Sequence, residues 1–128
     1  MMKIAIPVKM KRENPPLAPL FGKAKWFALI EDNQVEIVEN PAHGGRAVIE
    51  WLLGEGVDTI IFQEMGISPY EMVKETGKIE LFHAGYDRIL LDEALEAFDS
   101  NALPLVDDTN ITEILVHHEK KHSHGEKH

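Results

Sequence analysis

Glu39-Asn40-Pro41-Ala42-His43-Gly44-Gly45-Arg46 is the stretch in which the chain turns from strand into helix, and the fold is read outward from it. Ahead of it, Val35-Glu36-Ile37-Val38 alternates apolar and charged residues, the period of a half-exposed strand. Behind it, Arg46 to Leu53 is an apolar run with Glu50 facing out, which suits a buried helix. Pro41 pushes Asn40 out of helical dihedrals and ends the strand. Gly44 and Gly45 let backbone N–H groups open into the gap at the helix N-terminus, where the dipole favours an anion. His43 brings an imidazole to the same place. By residue type alone, the stretch also reads as an ordinary strand-to-helix turn with a solvated histidine.

The flanking segments set the architecture. Lys3-Ile4-Ala5-Ile6-Pro7-Val8 is a strand apolar enough to be central, with Pro7 near its end, where a ladder donor can be lost. Pro15, Pro16 and Pro19 make Lys9 to Leu20 an irregular, stiff loop. Trp26 to Ile30 and Val35 to Val38, joined by Glu31-Asp32-Asn33-Gln34, form a hairpin. Gly54 and Gly56 stop the first helix, and Val57 to Phe62 is a fully buried strand. Ser68-Pro69-Tyr70-Glu71 reads as a helix start with a serine cap, proline in the first helical position and a capping box closed by Glu71. Gly77 ends that helix, Ile79 to His83 is the fifth strand, and a third helix covers Arg88 to Phe98. Asn101 to Val106 packs as an extended end. The result is an α/β domain over residues 1–106, with the first strand between the hairpin and the fourth strand. The order reverses beside that strand, and open α/β sheets bind ligands at such switch points. Lys9 to Leu20, Asn40 to Arg46 and Gln63 to Ser68 are therefore expected around one crevice. The residues expected to serve it are Lys11, Arg12, Lys23, Asn40, His43, Gly44, Gly45, Arg46 and Gly66.

Composition narrows the chemistry. A chain of 128 residues builds one core. No run approaches the roughly 20 apolar residues of a membrane span, and the first strand begins at once, so neither a membrane segment nor an export signal is expected and the cytoplasm is favoured. The absence of cysteine excludes disulfides, thiolate nucleophiles and Cys-ligated zinc or iron–sulfur sites. A formal charge of -9 opposes non-specific nucleic-acid binding. Even so, five of the 13 Lys and Arg residues (Lys9, Lys11, Arg12, Lys23 and Lys25) fall between positions 9 and 25 against Glu13 alone, and Arg46 is placed to join them. Such a patch on an acidic protein points to a small anion, although each lysine taken singly also reads as a solvated loop residue.

Lys3-Ile4-Ala5-Ile6-Pro7, Phe21-Gly22-Lys23-Ala24, Glu39-Asn40-Pro41, Gly56-Val57-Asp58, Gly66-Ile67-Ser68-Pro69 and Glu93-Ala94-Leu95-Glu96-Ala97-Phe98 follow one another in the order and spacing of a known family. Over residues 3 to 106 the chain resembles the dinitrogenase iron–molybdenum cofactor biosynthesis family, to which NifX, NifY and the C-terminal part of NifB belong. The resemblance implies a three-layer ribonuclease H-like fold, with a five-stranded mixed sheet of order 3-2-1-4-5 and strand 2 antiparallel. It also implies binding and carriage of an iron–sulfur or iron–molybdenum cofactor precursor, with cofactor-assembly proteins as partners. The chain departs from the family in having Leu20 where histidine often precedes Phe-Gly, and in lacking the cysteines by which some members hold clusters. A nuclease reading of the fold is opposed by the first strand, which carries none of the carboxylates a two-metal site needs.

The remaining expectations concern histidines and a tail. With thiolates absent, His43 is the expected metal donor in the crevice. Residues 107–128 read as a separate His-rich, flexible tail, in which Asn110 to Glu113 would cap a short helix through Val116. His117, His118, His122, His124 and His128 make the tail a candidate Zn²⁺ or Ni²⁺ site, and His118 and His122 have the i, i+4 spacing of two ligands on one helical face. A metal-handling protein working through this tail is the alternative to the carrier. A small enzyme using Glu64 with His43 or His83 as acid and base is the third reading.

Overall fold

The computed structural model describes residues 2–116 and residue 118. Its elements are β1 (Lys3–Val8), β2 (Trp26–Glu31), β3 (Gln34–Glu39), α1 (Gly45–Gly54), β4 (Thr59–Phe62), α2 (Ile67–Thr76), β5 (Glu80–His83) and α3 (Leu91–Asp99), with a 3-10 turn at Phe21–Lys23. A last helical segment, α4, covers 111–116.

The five strands form one sheet in the order β3-β2-β1-β4-β5. β1 is antiparallel to β2 and parallel to β4, and β4 is parallel to β5. The expected order, the central place of β1 and the antiparallel second strand are all present. The hairpin turns on Asp32 and Asn33, both with positive φ (52° and 64°), as a two-residue turn matching the twist of its strands requires. Residues 101–106 add an antiparallel edge to β5: His83 N–H donates to the Pro104 carbonyl and Val106 N–H to the Leu81 carbonyl.

Because side chains alternate across a strand, the sheet has two apolar faces. Ala5, Phe27, Ile60 and Phe62 face α1 and α2, which contribute Val48, Ile49, Leu52, Tyr70 and Val73. Ile4, Ile6, Val8, Ala28 and Ile61 face α3 through Leu91 and Ala94. The domain thus has three layers. Ile111 and Ile114 of α4 are buried in the α1/α2 layer, so the core continues past residue 106.

Two local expectations are corrected. α2 begins at Ile67 with Gly66 as its cap and makes no side-chain capping bond, so Ser68 is not the cap and Glu71 closes no box. Pro69 is the third helical residue, still inside the first turn, where a missing N–H costs no helical bond. The third helix starts at Leu91 rather than Arg88, because Leu90 is extended and its N–H is taken by Glu93 Oε1 at 2.8 Å.

Candidate functional site

β1, β3 and β4 run in the same direction, so the loops that follow them lie at one end of the sheet and the three expected segments come together. The segment after β1 is less irregular than its prolines imply. Ala18 N–H donates to the Pro7 carbonyl and Lys9 N–H to the Pro16 carbonyl, so residues 9–16 fold back on themselves. Leu17 N–H bonds to the Ile89 carbonyl and Leu91 N–H to the Pro15 carbonyl, which stitches the return arm to the start of α3. Farther on, Glu64 N–H donates to the Pro19 carbonyl and Phe21 N–H to the Glu64 carbonyl, laying Pro19 to Phe21 along the exit of β4. These bonds pair the backbone of a segment that is buried over residues 15–18.

A cleft of about 280 Å³ lies beside this seam, between the N-termini of α1 and α2. Leu20 to Lys23 form one wall, Gly44 and Gly45 a second, and Glu64 to Pro69 a third, with His118 closing over it. The α1 cap, Gly44, has φ +90°, open to glycine and strained for other residues. Gly45 packs where a Cβ would lie 2.6 Å from Pro69 Cγ, so the bare backbone at the start of α1 lies against the Pro69 ring of α2. Neither helix has a side-chain capping bond or an acidic residue in its first turn. Two sets of orphan N–H groups and two positive dipole ends therefore face one small space.

The expected site residues divide among several places. Lys23, Gly44, Gly45 and Gly66 line the cleft. His43 and Asn40 line an adjoining recess of about 430 Å³, which shares Gly22, Lys23 and Gly44 with the cleft and also takes in Lys25 and Glu39. Asn40 holds the turn: its Nδ2 donates to the Ala24 carbonyl and its Oδ1 accepts from Ala42 N–H, each at 2.9 Å. Arg46 leans away onto Glu75 at 3.6 Å, an exposed pair of small energetic weight. Lys11 and Arg12 are exposed in the tip of the first loop, which Asn14 Oδ1 ties to Asp92 N–H at the start of α3, and neither lines the cleft. Of the tail histidines, His118 is described; His117, His122, His124 and His128 lie outside the described residues.

Glu64 and His118 are what the sequence reading placed least well. Glu64 is 1% exposed, and its Oε1 stands 3.5 Å from His118 Nδ1. As an acid–base residue Glu64 is expected to act with His43 or His83, whereas the imidazole beside it is His118. His83 instead donates from Nε2 to the Gln63 carbonyl at 2.9 Å. Tyr86 stacks edge-on against His83, and its phenol is pushed up by burial and then by the carboxylates of Glu113 and Glu64. A glutamate continuing a buried strand run was the available signal for Glu64. The sequence marks His118 as a candidate ligand of the tail, but nothing in it signals a place beside Glu64, because that place depends on the docking of α4. Among the described residues no group of three or more His, Cys, Asp or Glu side chains is arranged to hold a metal ion. No described helix is long and apolar enough to cross a membrane.

An open, three-layer α/β domain with a cleft at its switch point is the class that fold and site define. The family described as Dinitrogenase iron-molybdenum cofactor matches residues 2–101, and the chain belongs to that family. It is thereby related to nitrogenase cofactor-biosynthesis proteins. Among solved structures, a NifB-like protein from Thermotoga is 28% identical with a TM-score of 0.69, over 82% of this chain and 93% of that one. The apo form of the orange protein from Desulfovibrio gigas is 20% identical with a TM-score of 0.72, over 83% of this chain and 93% of that one. A dinitrogenase-like protein from Methanocaldococcus jannaschii is 23% identical with a TM-score of 0.61, over 83% and 95%. The last two speak for the fold alone. No curated protein matches the chain.

Proposed function

We propose that the chain is a carrier that takes an anionic iron–sulfur or iron–molybdenum cofactor precursor as cargo in the α1/α2 cleft and passes it to cofactor-assembly proteins. The observation that carries this reading is the convergence of two helix N-termini, neither capped by a side chain, on one cleft. Backbone N–H groups and helix dipoles recognise an anion without a specific side chain. Lys23 adds positive charge at the rim, and Gly44 and Gly45 allow close approach of the cargo. The lack of cysteine fits a carrier, because cargo held by backbone donors and few N or O ligands is released more readily than cargo bound through several thiolates.

Ser68 supplies the test, since it lines the cleft in the first turn of α2. Ser68→Asp places a carboxylate where it favours the helix by about 0.3–1 kcal/mol and opposes an anion in the cleft. Anaerobic cluster transfer followed by absorption and paramagnetic resonance should show retention by the wild type and loss by Ser68→Asp, with thermal stability kept or raised. A wild type that retains no cluster, or a Ser68→Asp variant that retains as much, sinks the reading.

A further inference from the structure

We propose that α4 is a strap across the cleft and that its release from α2 is the step that admits and discharges the cargo, a proposal that rests on reading the cleft as the cargo site. The family match ends at residue 101, so the side chain that closes over the cleft comes from a segment beyond it. Spacing explains how that segment reaches the site. Ile111, Ile114, Leu115 and His118 follow one another at i, i+3, i+4 and i+7 and share one face of a helix. Ile111 and Ile114 are buried, and Leu115 packs half-buried against the same core. Docking of this apolar stripe carries His118 to the cleft, where its Nδ1 comes to 3.5 Å from Glu64 Oε1.

His118 covers the inner end of the cleft. Glu64 and Met65 are each 1% exposed there. Lys23, Gly44, Ile67 and Ser68, around the mouth, are exposed. Gly66 lies between the two groups. A Cβ on it would meet the His118 ring at 3.7 Å and, its chain neighbours aside, no other described residue within 4 Å. The imidazole is therefore the cover of that end, and cargo reaches it past the strap.

The strap is arranged to detach as a unit. α4 covers only 111–116, and isolated helices shorter than roughly 12–15 residues are marginal, so it keeps its form while docked. The turn leading into it is held by one carboxylate. Asp108 accepts from the Tyr70 hydroxyl at 2.6 Å and from the Lys74 ammonium at 3.0 Å. Both donors stand on α2, whose first turn is a wall of the cleft. None of the strand ladders includes a residue of the strap, so its release leaves the sheet paired.

The chain has no cysteine, so Gly66→Cys places a single thiol beneath the strap. The backbone there, φ -80° and ψ 174°, is open to any residue. Alkylation by neutral iodoacetamide, followed by mass, reads the cover directly. The thiol should react slowly in the full chain. Adding Asp108→Asn, or Tyr70→Phe, should speed it about tenfold, as losing one hydrogen bond to a charged group implies, while the sheet amides keep their exchange protection. His118→Ala should expose the thiol with the tether intact. A reaction as fast without these changes as with them overturns the strap, as does acceleration that comes only with loss of sheet protection. With Gly66 in place, anaerobic cluster uptake and release should both quicken in Asp108→Asn, because a gate acts on both directions. Unchanged rates, or faster release alone, overturn the gating. The thiol assay contains no cargo, so failure of the carrier reading and failure of the strap give different patterns.

Discussion

A methyl group at position 45 would press into Pro69, which makes Gly45 the most size-restricted of the site's glycines. Gly45→Ala should cost about 1–3 kcal/mol by overpacking, because a Cβ there comes 2.6 Å from Pro69 Cγ. At Gly54, near the other end of α1, a Cβ meets nothing within 4 Å, so Gly54→Ala should stabilise by about 0.5–1 kcal/mol through helix propensity. Urea unfolding of the pair checks both signs; similar effects at the two positions would refute the close helix contact. At this scale the sequence told a divided story. Gly44 and Gly45 were legible as an approach point because a turn, two glycines and a helix start are contiguous. Ser68 reads in the sequence as a cap, because Ser-Pro mimics one, whereas the helix starts earlier, at Ile67, and Ser68 lines the cleft. Arg46 was expected in the crevice on sequence proximity alone, and its partner Glu75 belongs to the next helix.

The element that reaches farthest beyond expectation is α4. The turn that leads into it is tied to α2 by Tyr70, whose hydroxyl donates to Asp108 Oδ1 at 2.6 Å, and by Lys74, which donates to Asp108 Oδ2 at 3.0 Å. These bonds, the Tyr70 one first, hold the Asp108 carboxyl below its ordinary value of 3.8. A lowered folded pKa means that the tether is present above that ordinary value and is lost as pH falls through the folded one. Burial, with the Asp108 bond adding to it, holds the Tyr70 phenol above its ordinary value of 10.0, so moderate alkali leaves the bond intact. Amide exchange over 111–116 should therefore quicken in acid well before the sheet amides do, and Asp108→Asn should reproduce this at neutral pH. Equal protection of both regions throughout would contradict the tether. Ile111→Ala should cost about 2–4 kcal/mol in chemical unfolding, as for other buried isoleucines. The strands were readable because β1 is continuously apolar and β3 alternates, two patterns that survive any tertiary context. The docking of α4 and the stitching of residues 15–20 to residues 89–91 depend on contacts between distant segments, which local periodicity does not encode.

At the scale of the whole molecule, a chain of formal charge -9 is proposed to accept an anionic cargo. The dipoles and Lys23 act within the cleft, whereas the net charge acts at distance. Uptake of an anionic cluster should therefore accelerate as salt is raised from roughly 20 to 200 mM, because the Debye length contracts and long-range repulsion is screened first. Stopped-flow absorption reads this directly, and a rate that falls with salt would show that the local field dominates even at distance. The sheet order has a further consequence during synthesis. β2 and β3 follow β1 closely and can zip onto one side of it, but its other neighbour pairs only when Thr59 and Ile60 have been made. At about 5–20 residues per second, the emerging meander spends on the order of seconds with the open edge of its most apolar strand exposed to the ribosome's surroundings. Slowing translation between Gly56 and Phe62 should lengthen that window and lower the soluble yield without changing a single residue of the product.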